Sequence, residues 1–260
     1  MPSLAFFLIF GFVWALLIVL GRVLPRNPRG DLVTGMLYVF ILAYCRFFHR
    51  VEVTGRENIP RFPVGGKLDG NDGPTPIIIV ANHTAGVDPA ILQYALPFYV
   101  RWMMAAEMML PALKDVWEWG GMISVARGGK ETASARQAIR AIEGGAALGI
   151  FPEGSIERPP GRLLPFVPGV GLIIARTKAP VLPLVINGTP FSNSAWGSLL
   201  RFSRSRVRIM PVIEYATLGL KPDAIAADLQ RRYEAWTGWE VGPSPELPST
   251  RARDLDGTSA

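Results

Sequence analysis

Residues 80–92 read Val80-Ala81-Asn82-His83-Thr84-Ala85-Gly86-Val87-Asp88-Pro89-Ala90-Ile91-Leu92, and the fold turns on how this stretch is read. The run 77–81 is apolar without interruption, the pattern of a strand buried on both faces. From 89 to 96 apolar residues recur at helical spacing, with Asp88 placed as the cap and Pro89 at the first helical position. The order is strand, loop, helix. On one continuous helix, a histidine and a carboxylate five residues apart would point about 140° away from each other. With a loop between them, the carboxylate folds back onto the imidazole. That contact fixes the ring tautomer and leaves the second nitrogen free to take a proton from a hydroxyl. His83 and Asp88 therefore read as a general base with its orienting acid, with no nucleophilic serine required. The plainer alternative is an ordinary loop and helix start, since Asn, Gly and Asp are common in both.

Outward from this stretch, strand and helix patterns alternate. Residues 51–55 read as strand and turn, and 58–76, rich in Gly, Pro and Asp, as a loop. Strands are expected at 99–105, 122–126, 147–151, 181–186 and 207–212, and helices at 111–119, 131–145 and 169–178. An amphipathic helix over 224–236 closes the series. This alternation argues for an α/β domain over residues 51–240, with a mostly buried sheet flanked by helices. Residues 241–260 carry Pro, Ser, Thr and charge and are expected to form a disordered tail.

Residues 1–50 have a different character. The run 4–20 is uncharged and apolar, roughly 26 Å long as a helix, and reads as a retained membrane helix. A cleaved signal peptide is the competing reading, weakened by the absence of a basic residue in Met1-Pro2-Ser3. Arg22, Arg26 and Arg29 fill the linker that follows, which places it on the cytoplasmic side of a cell membrane. A second apolar run, 32–48, would carry the domain outside if it also spanned. It is expected to lie in the interface or re-enter instead, where Tyr38, Tyr44 and Arg46 suit an interfacial setting, or else to be a core helix. Composition agrees: 49% of the 260 residues are hydrophobic, high for a purely soluble chain. The formal charge of +6 comes from scattered basic residues, which favours an anionic membrane and a phosphorylated substrate over nucleic acid. Cys45 is the one cysteine, which excludes an intramolecular disulfide and a multi-cysteine metal site.

Three loops that follow apolar strands hold unusual sets: His83 with Asp88, Arg127 with Gly128 and Gly129, and Glu153 with Gly154 and Ser155. Active sites of α/β domains form where loops leave the carboxyl ends of strands. Asn82-His83 through Asp88 resembles the N-H-x4-D block of the glycerolipid acyltransferase family, which includes 1-acylglycerol-3-phosphate acyltransferases. Residues 121–127, ending at Arg127, are similar to its second block, Phe151-Pro152-Glu153-Gly154-Ser155 to its third, and 181–189 to its fourth. Each block alone is weak; four in order, behind a membrane anchor, are specific.

The resemblance implies transfer of a fatty acyl group from acyl-CoA or acyl-carrier protein to a lipid hydroxyl, with these thioesters as co-substrates and no cofactor or metal. It implies His83 and Asp88 as catalytic residues and an acceptor-binding set of Asn82, Arg127, Glu153, Gly154 and Ser155, to which Arg158 is added as a nearby cation. The residues agree independently: Cys45, inside a hydrophobic run, is misplaced for a covalent acyl-enzyme, which favours direct transfer. Two positions depart from the family pattern. Ile156 stands where an arginine is common, and Val167 where a lysine is common, with Arg158 and Arg162 as candidate replacements. An aminolipid or glycolipid acceptor, or a non-catalytic lipid-binding relative, are the alternatives. A metal hydrolase using His83 and Asp88 would need mostly carboxylates, since His49 is the other histidine.

Overall fold

The computed structural model describes residues 30–60, 76–125, 131–156, 161–192 and 194–243, with residues 11, 14, 21, 24 and 27. Among these residues seven strands form one sheet: β1 (Glu52–Thr54), β2 (Ile77–Ala81), β3 (Val100–Ala105), β4 (Ile123–Val125), β5 (Ala147–Ile150), β6 (Val181–Asn187) and β7 (Arg206–Ile209). Their order across the sheet is β1-β7-β6-β2-β5-β3-β4. Pairing is parallel except between β6 and β7. Every residue of β2 and β5 is buried, as their unbroken apolar runs require of strands covered on both faces.

Helices cover both faces. On one side lie α4 (Glu131–Glu143), α5 (Pro168–Thr177) and α7 (Pro222–Thr237), whose Ile142, Ile174, Leu229 and Tyr233 fill one core with Ile78, Val80 and Leu148. On the other, α2 (Asp88–Ala95) packs Ile91 and Leu92 over Ile77, Ile79 and Ala81. The opposite burial of alternate β2 residues is the period of two that a strand imposes. The Tyr233 hydroxyl, fully buried, donates to the Val80 carbonyl at 2.7 Å, with Leu184 O at 3.2 Å. This bond pins α7 beneath the end of β2. Two shorter helices are α3 (Lys114–Trp119), between β3 and β4 in the chain, and α6 (Tyr215–Leu218), between β7 and α7.

The N-terminal segment agrees with the expectation that the 32–48 run does not span a membrane. Helix α1 (Leu32–Ala43) is 12 residues, about 18 Å, and continues through a π-helical turn at Tyr44–Phe48. Among the described residues no helix is long and apolar enough to cross a membrane. The 32–48 run therefore does not form a membrane-spanning helix. It is half embedded: Cys45 is buried against the domain, while Leu32, Phe40 and Phe47 are exposed. The expected helix at 4–20 lies almost wholly outside the described residues.

The expected strands and long helices are otherwise found, with shifted ends. The strand expected over 207–212 stops at Ile209. Pro183 of β6 has no N–H to give β7, so the ladder lapses after Leu184–Ile209 and resumes at an isolated bridge between Val181 and Ile213. The 3-10 turn at Trp196–Leu200 and helix α6 were not expected, being too short to show a period.

Candidate active site

Strands β6, β2 and β5 are neighbours, so their C-terminal ends bring three of the sequence blocks side by side. The stretch 82–88 leaves the middle one. Asn82 extends the β2–β6 pairing with its side chain: Nδ2 donates to Ile186 O at 2.8 Å, and Ile186 N donates to Oδ1 at 2.9 Å. The amide imitates a peptide group and holds the strand end while the main chain turns out of the sheet.

The loop's backbone donors are then satisfied in turn. His83 N donates to Glu153 Oε1 at 2.7 Å. Thr84 N and Ala85 N both donate to Asp88 Oδ2, at 2.7 and 2.9 Å. Val87 N donates to Ser198 Oγ at 3.1 Å. The Thr84 hydroxyl meets that of Thr189, just past β6, at 2.6 Å. Gly86 is required by close approach, since a Cβ there would stand 2.2 Å from Ala195 O.

This geometry changes the part expected of Asp88 in the helix. Val87 holds the cap position and makes no side-chain capping bond, and Asp88 is the first helical residue. Its carboxylate turns back into the loop. There Oδ2 also receives the ring N–H of His83, at 2.9 Å from Nδ1. Asp88 is 0% exposed and the His83 side chain 15%. With Nδ1 donating, Nε2 carries the lone pair, and it makes no hydrogen bond among the described residues.

The imidazole is also held by its face. It stacks on Phe151, ring centroids 3.9 Å apart and 16° between planes, and Phe151 stacks on Trp102 at 5.1 Å and 17°. Gly149 makes room for this column: a Cβ there would lie 2.3 Å from the Trp102 ring. An aromatic face beside the ring favours the imidazolium that forms when Nε2 takes a proton. The arrangement is that of a base pre-set in tautomer, plane and direction.

A family model for acyltransferases matches residues 50–187, a little over half of the chain. The chain belongs to the acyltransferase family. It is similar to a 1-acyl-sn-glycerol-3-phosphate acyltransferase of Borreliella burgdorferi, 32% identical over 146 residues, covering 54% of this chain and 52% of that protein. It is also similar to a protein of the same description from Limnanthes douglasii, 29% identical over 139 residues, covering 52% and 47%. The chain thus spans about half the length of the curated relatives it matches. In fold it is similar to the crystal structure of the 1-acyl-sn-glycerophosphate (LPA) acyltransferase PlsC from Thermotoga maritima, with TM-score 0.60 and 20% identity over 80% of this chain and 82% of that one.

Arg127 and Arg158 lie outside the described residues. Glu153 and Gly154 sit at the turn after β5. Gly154, at φ 64°, returns its N–H to Phe151 O at 3.1 Å, and Ser155 follows, half-buried. Val167, where the family pattern has lysine, is exposed and packs at this turn, 3.6 Å from where a Gly154 Cβ would stand. Arg162 is exposed, its side chain along Gly242. Cys45 is buried, its Sγ 3.7 Å from Ala90 O, and burial pushes its thiol up to about 12, far from a reactive thiolate. Trp102 and Ser198 were not singled out from the sequence, and Thr189 stood at the end of the fourth block with no part of its own. Phe151 was legible as part of the third block, but nothing in its spacing says it lies under the histidine.

Proposed function

We propose that the chain is a membrane-bound O-acyltransferase that moves a fatty acyl group from an acyl-CoA or acyl-carrier-protein thioester to the hydroxyl of a lysophospholipid such as 1-acylglycerol-3-phosphate. The observation that carries this reading is the 2.9 Å bond from His83 Nδ1 to Asp88 Oδ2, with Nε2 unengaged among the described residues. The descriptions of the relatives supply the acceptor.

In this mechanism Nε2 removes the proton of the acceptor hydroxyl as its oxygen attacks the thioester carbonyl. The Asp88 carboxylate stabilises the imidazolium as it forms. The tetrahedral intermediate collapses, the C–S bond breaks, and the leaving thiolate takes the proton back from Nε2. The product is an ester and a free thiol, with no acyl-enzyme. Arg127 and Arg158 remain the proposed cations for an acceptor phosphate.

The membrane part of the proposal rests on surface chemistry. The apolar side chains of Phe40, Phe47, Leu200 and Phe202 are exposed. Phe48 and Phe202 stack at 4.0 Å, joining the N-terminal segment to the segment after β6. Exposed Arg46, Arg50, Arg201 and Arg204 accompany them. Apolar side chains flanked by cations suit an anionic bilayer face, on the cytoplasmic side given the arginine linker. Residues 1–50 are proposed as the anchor and 51–240 as the catalytic domain.

The test is transfer of labelled acyl groups from each thioester into a panel of lysolipids, wild type beside His83→Ala. Transfer abolished in the variant at unchanged melting temperature is expected. Equal transfer by both proteins would remove the base from the mechanism.

A further inference from the structure

Glu153 falls in the third block, where the resemblance suggests contact with the acceptor. Its geometry gives it other work. The side chain is buried, 5% exposed, and each oxygen accepts a backbone N–H of this chain: Oε1 from His83 and Oε2 from Leu164, both at 2.7 Å. We infer that Glu153 is a positioning residue, a carboxylate brace that fixes the main chain of His83 against the 163–167 strap and so sets where Nε2 stands. The inference rests on the acyl transfer proposed above.

The brace is anchored at both ends. Towards the strap, Leu163 N donates to Glu240 O at 3.0 Å, and Gly242 N donates to Leu163 O at 2.7 Å. Val167 N donates to Pro152 O, also at 2.7 Å. Residues beyond α7 therefore hold Leu163, Leu164 is held by Glu153, and Glu153 holds His83. At the other end, Phe151 lies two residues before Glu153 and supports the imidazole face. One short turn thus grips the histidine by its amide and by its ring. Charge-assisted bonds from backbone donors to a buried carboxylate are among the stronger hydrogen bonds. Removing their acceptor would leave a donor unpaired within the site.

Replacement of the carboxylate separates positioning from acceptor binding. Glu153→Gln keeps the volume but has one oxygen, so its NH2 faces one of the two N–H donors. Glu153→Asp keeps the charge but is one methylene too short to reach both amides. Displacement of a catalytic group by about 1 Å costs on the order of 100-fold in rate. Kinetics are measured on the full chain in detergent, with lysophosphatidic acid and with its phosphate-free monoacylglycerol counterpart. The expected result is a kcat lowered about 100-fold in both variants. The acceptor KM should stay within about twofold, and the preference between the two acceptors should not change. A tenfold rise in acceptor KM with kcat retained, a changed acceptor preference, or rescue by aspartate would overturn the inference. Amide hydrogen exchange on the wild type supplies an arm that needs no variant. The His83 and Leu164 amides should exchange as slowly as those of β2 without acceptor, and rapid exchange at either would refute the brace. Absence of any transfer by the wild type would instead count against the proposed function and leave the exchange result to stand alone.

Discussion

Asp88→Asn isolates charge from geometry. In the wild type, Oδ2 gathers three close donors, Thr84 N at 2.7 Å and Ala85 N and His83 Nδ1 at 2.9 Å, and shares the Thr84 hydroxyl, 3.4 Å from each oxygen. The other oxygen has only that hydroxyl. Asparagine can place its carbonyl oxygen at the Oδ2 position and keep all three bonds, leaving its NH2 where little is demanded. The loop should hold its shape, and what disappears is the negative charge facing the imidazolium. Opposite charges about 4 Å apart at an effective dielectric near 20 attract by about 4 kcal/mol. The amide dipole recovers a part, so about 3–4 kcal/mol of transition-state stabilisation should be lost. That corresponds to a kcat lowered roughly 100- to 1,000-fold. Acceptor KM and melting temperature should be unchanged. Asp88→Ala differs, because it strips acceptors from two backbone donors in a fully buried place, at roughly 1–3 kcal/mol each, and should lower the melting temperature as well. Initial-rate transfer assays and thermal melts on the three proteins decide the matter. An asparagine variant that melts like the wild type and keeps more than a tenth of its kcat would refute the reasoning.

Three further outcomes are expected. Tyr233→Phe removes the donor that ties α7 to Val80 and should cost about 1–2 kcal/mol, read as a fall of a few degrees in melting temperature with kcat per folded molecule unchanged. His49 is fully buried with Nδ1 on the Ser203 hydroxyl at 2.7 Å; burial lowers its pKa below the ordinary histidine range, opposed by the Asp88 charge. The unfolded chain therefore takes up a proton below about pH 6.5 that the folded chain refuses. Stability from this group is complete above that pH and lost as pH falls, so urea midpoints of the wild type should decline from pH 7 to 5 more steeply than those of His49→Gln. Val167→Lys restores a cation beside the Gly154 turn. It should lower the KM for lysophosphatidic acid relative to monoacylglycerol several-fold; an unchanged ratio would place the acceptor phosphate elsewhere.

Much of the architecture is written locally. The run 77–81 could hardly be anything but a doubly covered strand, because five apolar residues without alternation have no face to offer water. The helix over 131–143 and the closing helix follow from apolar spacing, and the meeting of His83 with Asp88 follows from a loop between strand and helix. Such features depend on neighbours within one turn or one strand, and sequence spacing encodes them. The setting of 32–48 was less legible, since an apolar run looks alike whether it spans, lies flat or packs. It proved to bury Cys45 on one side and expose Phe40 and Phe47 on the other.

What surrounds the histidine was decided by tertiary structure alone. Asn82 pairs with Ile186 across 104 residues, Glu153 reaches His83 across 70, and Ser198 takes Val87 N across 111. No local propensity relates these positions. They meet because the sheet order places β6, β2 and β5 side by side, and each loop's unpaired donors take whatever acceptor the neighbouring strand end presents. Sequence by itself singled out His83 and Asp88 as a pair, through residue type and spacing. Only the packed sheet determined how they are held, because a buried amide must find its partner in space and not along the chain.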